Sequence, residues 1–218
     1  KDIAGFDSKA LGKVSKDALE SFRTAQHLYL TQAQLPAGFD TAGSVLLWNK
    51  ALEVWLNRIL KKNLLSYTDM GAQTAIEHLE HQWWGMQSKL APDWKDTLLD
   101  PKANDLWRSL LRTLRNAVRN RSGFGKRNQS LSVLATALLI SAGPQPVAGF
   151  ERWSVGLGPD KVQFLVNGLV ALARKRNRLT HEEASDTQTS DRVRTLAIEC
   201  AVLISQMKSK PISRTRNT

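Results

Sequence analysis

Apolar residues along most of this chain recur at intervals of three and four, the period of a helix with one buried face. The first clear helix runs from about Ser15 to Gln34, with Ala18, Phe22, Ala25, Leu28 and Tyr29 on one stripe; Pro36 and Gly38 end it. Asp40 or Thr41 can cap a second helix, which runs to about Leu65 and carries Val45, Leu46, Trp48, Leu52, Trp55, Leu56, Ile59 and Leu60. That density is too high for a one-sided surface helix, so the second helix is expected at the centre of the fold. A third runs from about Gln73 to Leu90. A fourth runs from about Asn104 to Arg121 and stops near Gly123 and Gly125. Ser130 is placed to cap a short apolar helix ending at Ala142. A sixth opens at Pro159-Asp160, since proline is tolerated in a first helical turn, and runs to about Arg174. After a polar break from Glu182 to Ser190, a last helix covers about Asp191 to Met207.

Few segments alternate with period two, so a sheet is not expected; Val147 to Val155 is the one place for a short hairpin. It lies in the long irregular stretch from Gly143 to Gly158, which holds Pro144, Pro146 and glycines at 143, 149, 156 and 158. The pattern predicts an all-α protein, an antiparallel bundle of about six to seven helices. Residues 1–40 read as an N-terminal helical extension, 41–210 as the main helical domain and 211–218 as a basic tail, with the segment from Lys208 onward expected to be mobile.

Length and composition agree with a globular chain. At 218 residues and 42% apolar, one domain with an extension can bury a real core. The longest apolar run, Leu131 to Ala142, is too short to cross a bilayer and is broken by Ser and Thr. No secretory signal pattern is visible, and the single cysteine, Cys200, excludes an intramolecular disulfide framework and fits a reducing compartment. A cytoplasmic protein without membrane association is expected. The first residue is Lys1 rather than methionine, which leaves room for a larger parent chain.

Charge adds a partner class. Thirty-one Lys and Arg stand against 20 acids, a formal net charge of +11. Such a surplus favours a polyanion, either nucleic acid or an anionic lipid surface, over mere solubility. It concentrates on the fourth helix. Arg108, Arg112, Arg115 and Arg119 are spaced four, three and four, which puts them on one stripe. Stacked like charges repel by about a few tenths of a kcal/mol per neighbouring pair. Phosphates would offset this, and so would acids from another helix; a plainly solvated surface is the third possibility. Leu106, Leu110, Leu114 and Ala117 form the opposite, inward face.

Other chemistry is thin. Glu77 and His81 share a face of the third helix and could hold a metal, but no third ligand accompanies them, so a solvated polar face is the better reading and no metal or cofactor is expected. Gly123-Phe124-Gly125-Lys126 lacks the spacing and the preceding strand of a phosphate-binding loop. No nucleophile elbow appears.

The remaining constellation is Leu172-Ala173-Arg174-Lys175-Arg176-Asn177-Arg178-Leu179-Thr180-His181, set between two apolar helices. Arg176-Asn177-x-x-x-His181 resembles the signature of the HEPN superfamily, helical domains that include many metal-independent ribonucleases. In that signature an arginine, often followed by a polar residue, precedes a histidine by four to six residues. The resemblance extends to the last helix and to the apolar helix holding Ala51, Leu52 and Glu53, which looks like the family's first core helix. It does not clearly cover residues 1–40 or the 143–158 loop. Without it, the segment reads as a basic helix end with His181 as a partner of the helix dipole. Arg115-Asn116 superficially repeats the motif, but Asn120 stands where histidine is needed.

The resemblance implies an endoribonuclease cleaving single-stranded RNA through its own 2′-hydroxyl. Arg176 would stabilise phosphate charge, His181 would act as acid or base and Asn177 would position. Lys175, Arg178 and the arginine stripe would hold the RNA backbone. A five-residue offset is about 140° around a helix, so Arg176 and His181 do not stack on one face. Either a helix begins between them or a partner completes the cleft, and the resemblance implies a homodimer with two motifs facing across its axis. It also implies toxin–antitoxin, antiviral or RNA-processing settings, with an antitoxin or further domains of a parent chain as partners. The rival expectations are a non-catalytic HEPN-like module for RNA binding or dimerisation within a larger protein, and a basic helical DNA-binding protein. The motif side chains, in a polar segment between helices, are expected to be dispensable for folding.

Overall fold

A computed structural model describes residues 3, 6, 11–32, 34, 40–81, 103–120, 124, 126–143, 153–181, 186–208 and 210–211, with the backbone alone at 81, 103–108, 153–154, 180–181 and 210–211. The described residues form an all-helical bundle. Its α-helices are α1 (Lys16–Gln32), α2 (Ala42–Leu64), α3 (Met70–His81), α4 (Ala103–Arg119), α5 (Leu131–Ala142), α6 (Pro159–His181) and α7 (Thr187–Gln206), with a 3-10 turn, Leu65–Thr68, joining α2 to α3. The expected extension of α3 to Leu90 lies outside the described residues.

The apolar density of α2 has the expected consequence. Val45, Trp48, Leu52, Trp55, Leu56 and Leu60 are buried, and the helix is packed on different sides by α1, α5, α6 and α7. Being enclosed, it also buries polar residues, among them Asn49, Glu53 and Asn57. Of residues 1–40, Ile3, Phe6, Ala18, Phe22 and Ala25 share the same core. Phe22 of α1 meets Trp48 and Trp55 with ring centroids 5.6 and 6.3 Å apart, and Phe6 lies 5.4 Å from Phe22. Ile3 is buried in this cluster too. Phe6 and Phe22, within the expected N-terminal extension, thus add an aromatic cover to the tryptophans of α2.

Helix starts are fixed by short-range polar contacts. Asp40 accepts the Ala42 N–H (2.9 Å), while the neighbouring Thr41 hydroxyl donates to the carbonyl of Asp186 (3.0 Å). Asp186 itself caps α7, accepting the Thr189 N–H at 2.7 Å, so α7 begins four residues earlier than its apolar pattern indicates. Ser130 stands at the N-cap of α5 but makes no side-chain capping bond. Tyr67, buried in the 3-10 turn, bonds the Ala137 carbonyl (3.0 Å) and the Ser141 hydroxyl, tying that turn to α5.

Among the described residues the extended structure is a two-residue antiparallel bridge, Trp153–Ser154 with Lys210–Pro211. Most of the hairpin expected within 147–155 lies outside the described residues; the described strand, Trp153–Ser154, takes its partner from the C-terminal segment. The Lys208 N–H also donates to the Val155 carbonyl (2.8 Å), so the tail is tied down where it leaves α7.

Candidate functional site

The motif segment is helical throughout. Val162 to Ala173 supply the buried face of α6, and the chain then continues without a break through the basic run to His181. Lysine and arginine are good helix formers, and cations are favoured in a final turn, so nothing in Arg174 to Arg178 stops the helix at its expected end near Arg174. No helix begins between Arg176 and His181. Both lie on one, about 140° apart by helical arithmetic, whereas Asn177 and His181 are four residues apart and share a stripe.

Arg176 is anchored from below. Its guanidinium lies 2.8 Å from Glu53 Oε2, and Lys50 lies 3.2 Å from Glu53 Oε1. The Glu53 side chain is only 8% exposed while Arg176 remains 37% exposed. A carboxylate this deep in the bundle needs cationic partners, and it receives one from its own helix and one from α6. Glu53 is the member of this cluster that the sequence left without a role. Its signal was an acid at an interior position of a helix dense in apolar residues.

The flanking cations divide. Arg178 and Asn177 are exposed, and Lys175 is half-buried. The carboxyl of Asp186 is held below its ordinary value, chiefly by the hydrogen bond from Thr189, with smaller contributions from the charges of Lys175 and Arg192. Lys175 therefore lies near enough to the start of α7 for its charge to be felt there.

The arginine stripe of α4 lies against α3. Glu80 receives Arg112 Nε at 3.1 Å and Arg115 at 2.5 Å, and Arg119 pairs with Glu77. The side chain of Arg108 lies outside the described residues. Of the three partners open to this stripe, acids from another helix are the ones in place, and they come from the Glu77–His81 segment considered above as a metal face. Glu77 is thereby committed to an arginine. Among the described residues no group of three or more His, Cys, Asp or Glu is arranged to hold a metal. The inward face of α4 consists of Leu110, Leu111, Leu114 and Val118, with Ala117 partly covered.

One turn along α2 from Glu53, Asn57 bonds the chain entering α5 twice. Its amide nitrogen donates to the Gln129 carbonyl (2.8 Å) and its oxygen accepts the Gln129 N–H (2.7 Å). This double bond holds Lys126 and Arg127 over α2, beside Arg58 and Lys61, around a cleft of about 220 Å³. The meeting of Lys126 and Arg127 with Arg58 and Lys61 is made by the fold, not by proximity in sequence.

No protein-family model matches the chain, and no curated protein or solved structure is significantly similar to it. Among the described residues, no helix is long and apolar enough to cross a membrane.

Proposed function

We propose that this protein is an endoribonuclease of HEPN type that cleaves single-stranded RNA through the RNA's own 2′-hydroxyl, with its site formed across a homodimer. The observation that carries the reading is the Arg176–Glu53 pair. A guanidinium is fixed by a buried acid yet left partly exposed at the end of α6, five residues before the one histidine of that helix. In this scheme Arg176 meets the charge gathering on the phosphorane oxygens, where a permanently charged fork is suited to a tetrahedral or trigonal array of oxygens. Imidazole titrates near neutrality, so His181 can take the 2′-hydroxyl proton or give one to the leaving 5′-oxygen. Asn177, on the same stripe as His181, orients. The offset between Arg176 and His181 on one helix is the reason for a second copy: a twofold axis near the end of α6 supplies the missing group from the partner.

The stripe on α4 is not needed for this proposal: Arg112 and Arg115 share Glu80, and Arg119 pairs with Glu77. Arg178 and Lys175, beside the motif, remain the nearby backbone contacts. A second reading, a non-catalytic module for RNA binding or dimerisation, is favoured by the same ion pair taken as purely structural. Incubation of the purified chain with labelled RNA in EDTA separates the two. The nuclease reading expects products ending in a 2′,3′-cyclic phosphate, lost in His181→Ala. It also expects light scattering to give twice the monomer mass. RNA binding without cleavage makes the module the better description.

A further inference from the structure

We infer that the cleft between α2 and the chain entering α5 is a phosphate-binding subsite for a single polynucleotide strand. The four cations around it, Arg58, Lys61, Lys126 and Arg127, come from two separate segments and converge on about 220 Å³ of open space. They make no ion pair among the described residues, in contrast to Arg112, Arg115 and Arg119 of the stripe, each of which has an acid. Asp17 also lines the cleft, leaving the cations in clear excess. Long flexible side chains of one sign gain nothing from facing each other, so their convergence needs an anion to offset it. The convergence is built in rather than incidental. Buried Asn57 clamps the Gln129 backbone with both ends of its amide, which fixes the height of Lys126 and Arg127 above α2.

The occupant is a strand because of where the cleft lies. Glu53, Asn57 and Lys61 occupy successive turns of one stripe of α2, so the cleft sits roughly 8–12 Å along the helix axis from the residue that anchors Arg176. A strand whose scissile phosphate rests at Arg176 can reach the cleft with a neighbouring phosphate. The walls are concave and mainly polar, with Val54 and Leu64 as the apolar contribution, which suits a phosphodiester more than the flat face of a bilayer. The placement of the strand rests on the ribonuclease reading; the binding of phosphates does not.

The test measures fluorescence anisotropy of a labelled single-stranded oligoribonucleotide over a range of salt, using wild type, Arg58→Gln/Lys61→Gln, and Lys126→Ala/Arg127→Ala. All four side chains are exposed, so the variants should melt as wild type does, and this is checked first. Each pair should weaken binding at least tenfold and reduce the slope of log affinity against log salt by about 1.4, two single-strand contacts' worth. The oligodeoxyribonucleotide of the same sequence should lose as much, since phosphate rather than sugar is read. Arg112→Ala/Arg115→Ala should keep the slope. If both cleft pairs bind with wild-type affinity and slope, the subsite is wrong. Binding of phosphatidylserine vesicles without binding of RNA also overturns it. If the chain binds RNA through the cleft and never cuts it, the subsite stands and the nuclease falls. If it cuts RNA and the cleft pairs leave KM unchanged, the nuclease stands and the subsite falls.

Discussion

Arg176 and Glu53 are 123 residues apart in sequence and 2.8 Å apart in the fold. The contact joins the motif at the end of α6 to the interior of α2, and it changes what a substitution at Arg176 should do. Read as a polar segment between helices, the motif is dispensable for folding. With Glu53 buried beneath it, Arg176→Ala leaves a carboxylate whose one remaining partner is the half-exposed Lys50. Breaking a fully buried pair costs about 3–5 kcal/mol; with Arg176 partly solvated and Lys50 retained, about 1–2 kcal/mol is expected. Urea denaturation of Arg176→Ala, Glu53→Gln and the double variant measures this. The pair is real in energy if the two losses fail to add, and strict additivity refutes it.

His181→Ala should behave differently. In the ribonuclease scheme it removes an acid–base group, so cleavage should drop by about 10²–10⁴. The separation of the two effects is itself a prediction. Arg176→Ala loses stability and rate together, whereas any loss of rate in His181→Ala should exceed what its unfolded fraction explains at the assay temperature. A His181→Ala variant that cuts RNA at the wild-type rate would remove this residue from the mechanism.

The stripe on α4 gives a stability prediction. Glu80 is nearly enclosed and holds two arginines, so Glu80→Gln leaves Arg112 and Arg115 as uncompensated neighbours one turn apart. The variant should unfold at lower urea concentration, and the deficit should shrink in high salt as the repulsion is screened. A deficit independent of salt would mean that packing, not charge, holds α3 to α4.

These cases show what a linear pattern can and cannot carry. The centrality of α2 was legible because Val45, Leu46, Trp48, Leu52, Trp55, Leu56, Ile59 and Leu60 form an apolar face wider than the stripe of a surface helix. The faces of α4 were legible for the same reason: Arg112, Arg115 and Arg119 share a stripe whatever the fold. Which element stands opposite a stripe is not a periodic property, so Glu77 and Glu80 could not be named as partners from α4. The end of α6 was misplaced because a basic run looks like a loop to hydropathy, although Arg and Lys extend helices well. Thr187 was missed as a helix start because the cap is one carboxylate, Asp186, with no apolar signal attached. Glu53 was visible as an odd acid in an apolar helix, but its partner lies at the far end of the chain.

The cap at Asp186 predicts a pH dependence. Its carboxyl is held below the ordinary value by the Thr189 hydrogen bonds, with smaller help from Lys175 and Arg192. A depressed folded-state value means that the unfolded chain takes up the proton first as pH falls. The stabilisation is therefore complete above the ordinary carboxylate range and is lost as pH drops through the lowered value. Wild type should exceed Asp186→Ala in melting temperature at neutral pH, and the gap should narrow on acidification. A gap that is constant down to strongly acid pH would mean that the carboxylate charge is not what stabilises the start of α7.

Gly168 and Cys200 set how closely α6 and α7 approach. A Cβ placed on Gly168 would lie 2.5 Å from Cys200 Sγ and 3.2 Å from Leu196 Cδ1, so the two helices can pack at this distance only because residue 168 has no side chain. Glycine inside a helix ordinarily costs about 0.5–1 kcal/mol relative to alanine. Here the substitution should reverse sign, because overpacking typically costs about 1–3 kcal/mol and the displaced atoms belong to buried Cys200 and partly buried Leu196. Cys200 supplies the readout. It is fully buried, and desolvation pushes its thiol well above the ordinary value, with Glu199 adding to the shift, so modification by a thiol reagent requires the helices to open. Gly168→Ala should lower the urea midpoint and speed Cys200 labelling under native conditions. Removing the obstructing sulfur as well, in Gly168→Ala/Cys200→Ala, should recover part of the loss beyond the sum of the two single effects, leaving Leu196 as the remaining obstacle. If Gly168→Ala instead stabilises the protein, as it would in an exposed helix, the close crossing of α6 and α7 is wrong, and with it the position of the helix that carries Arg176 and His181.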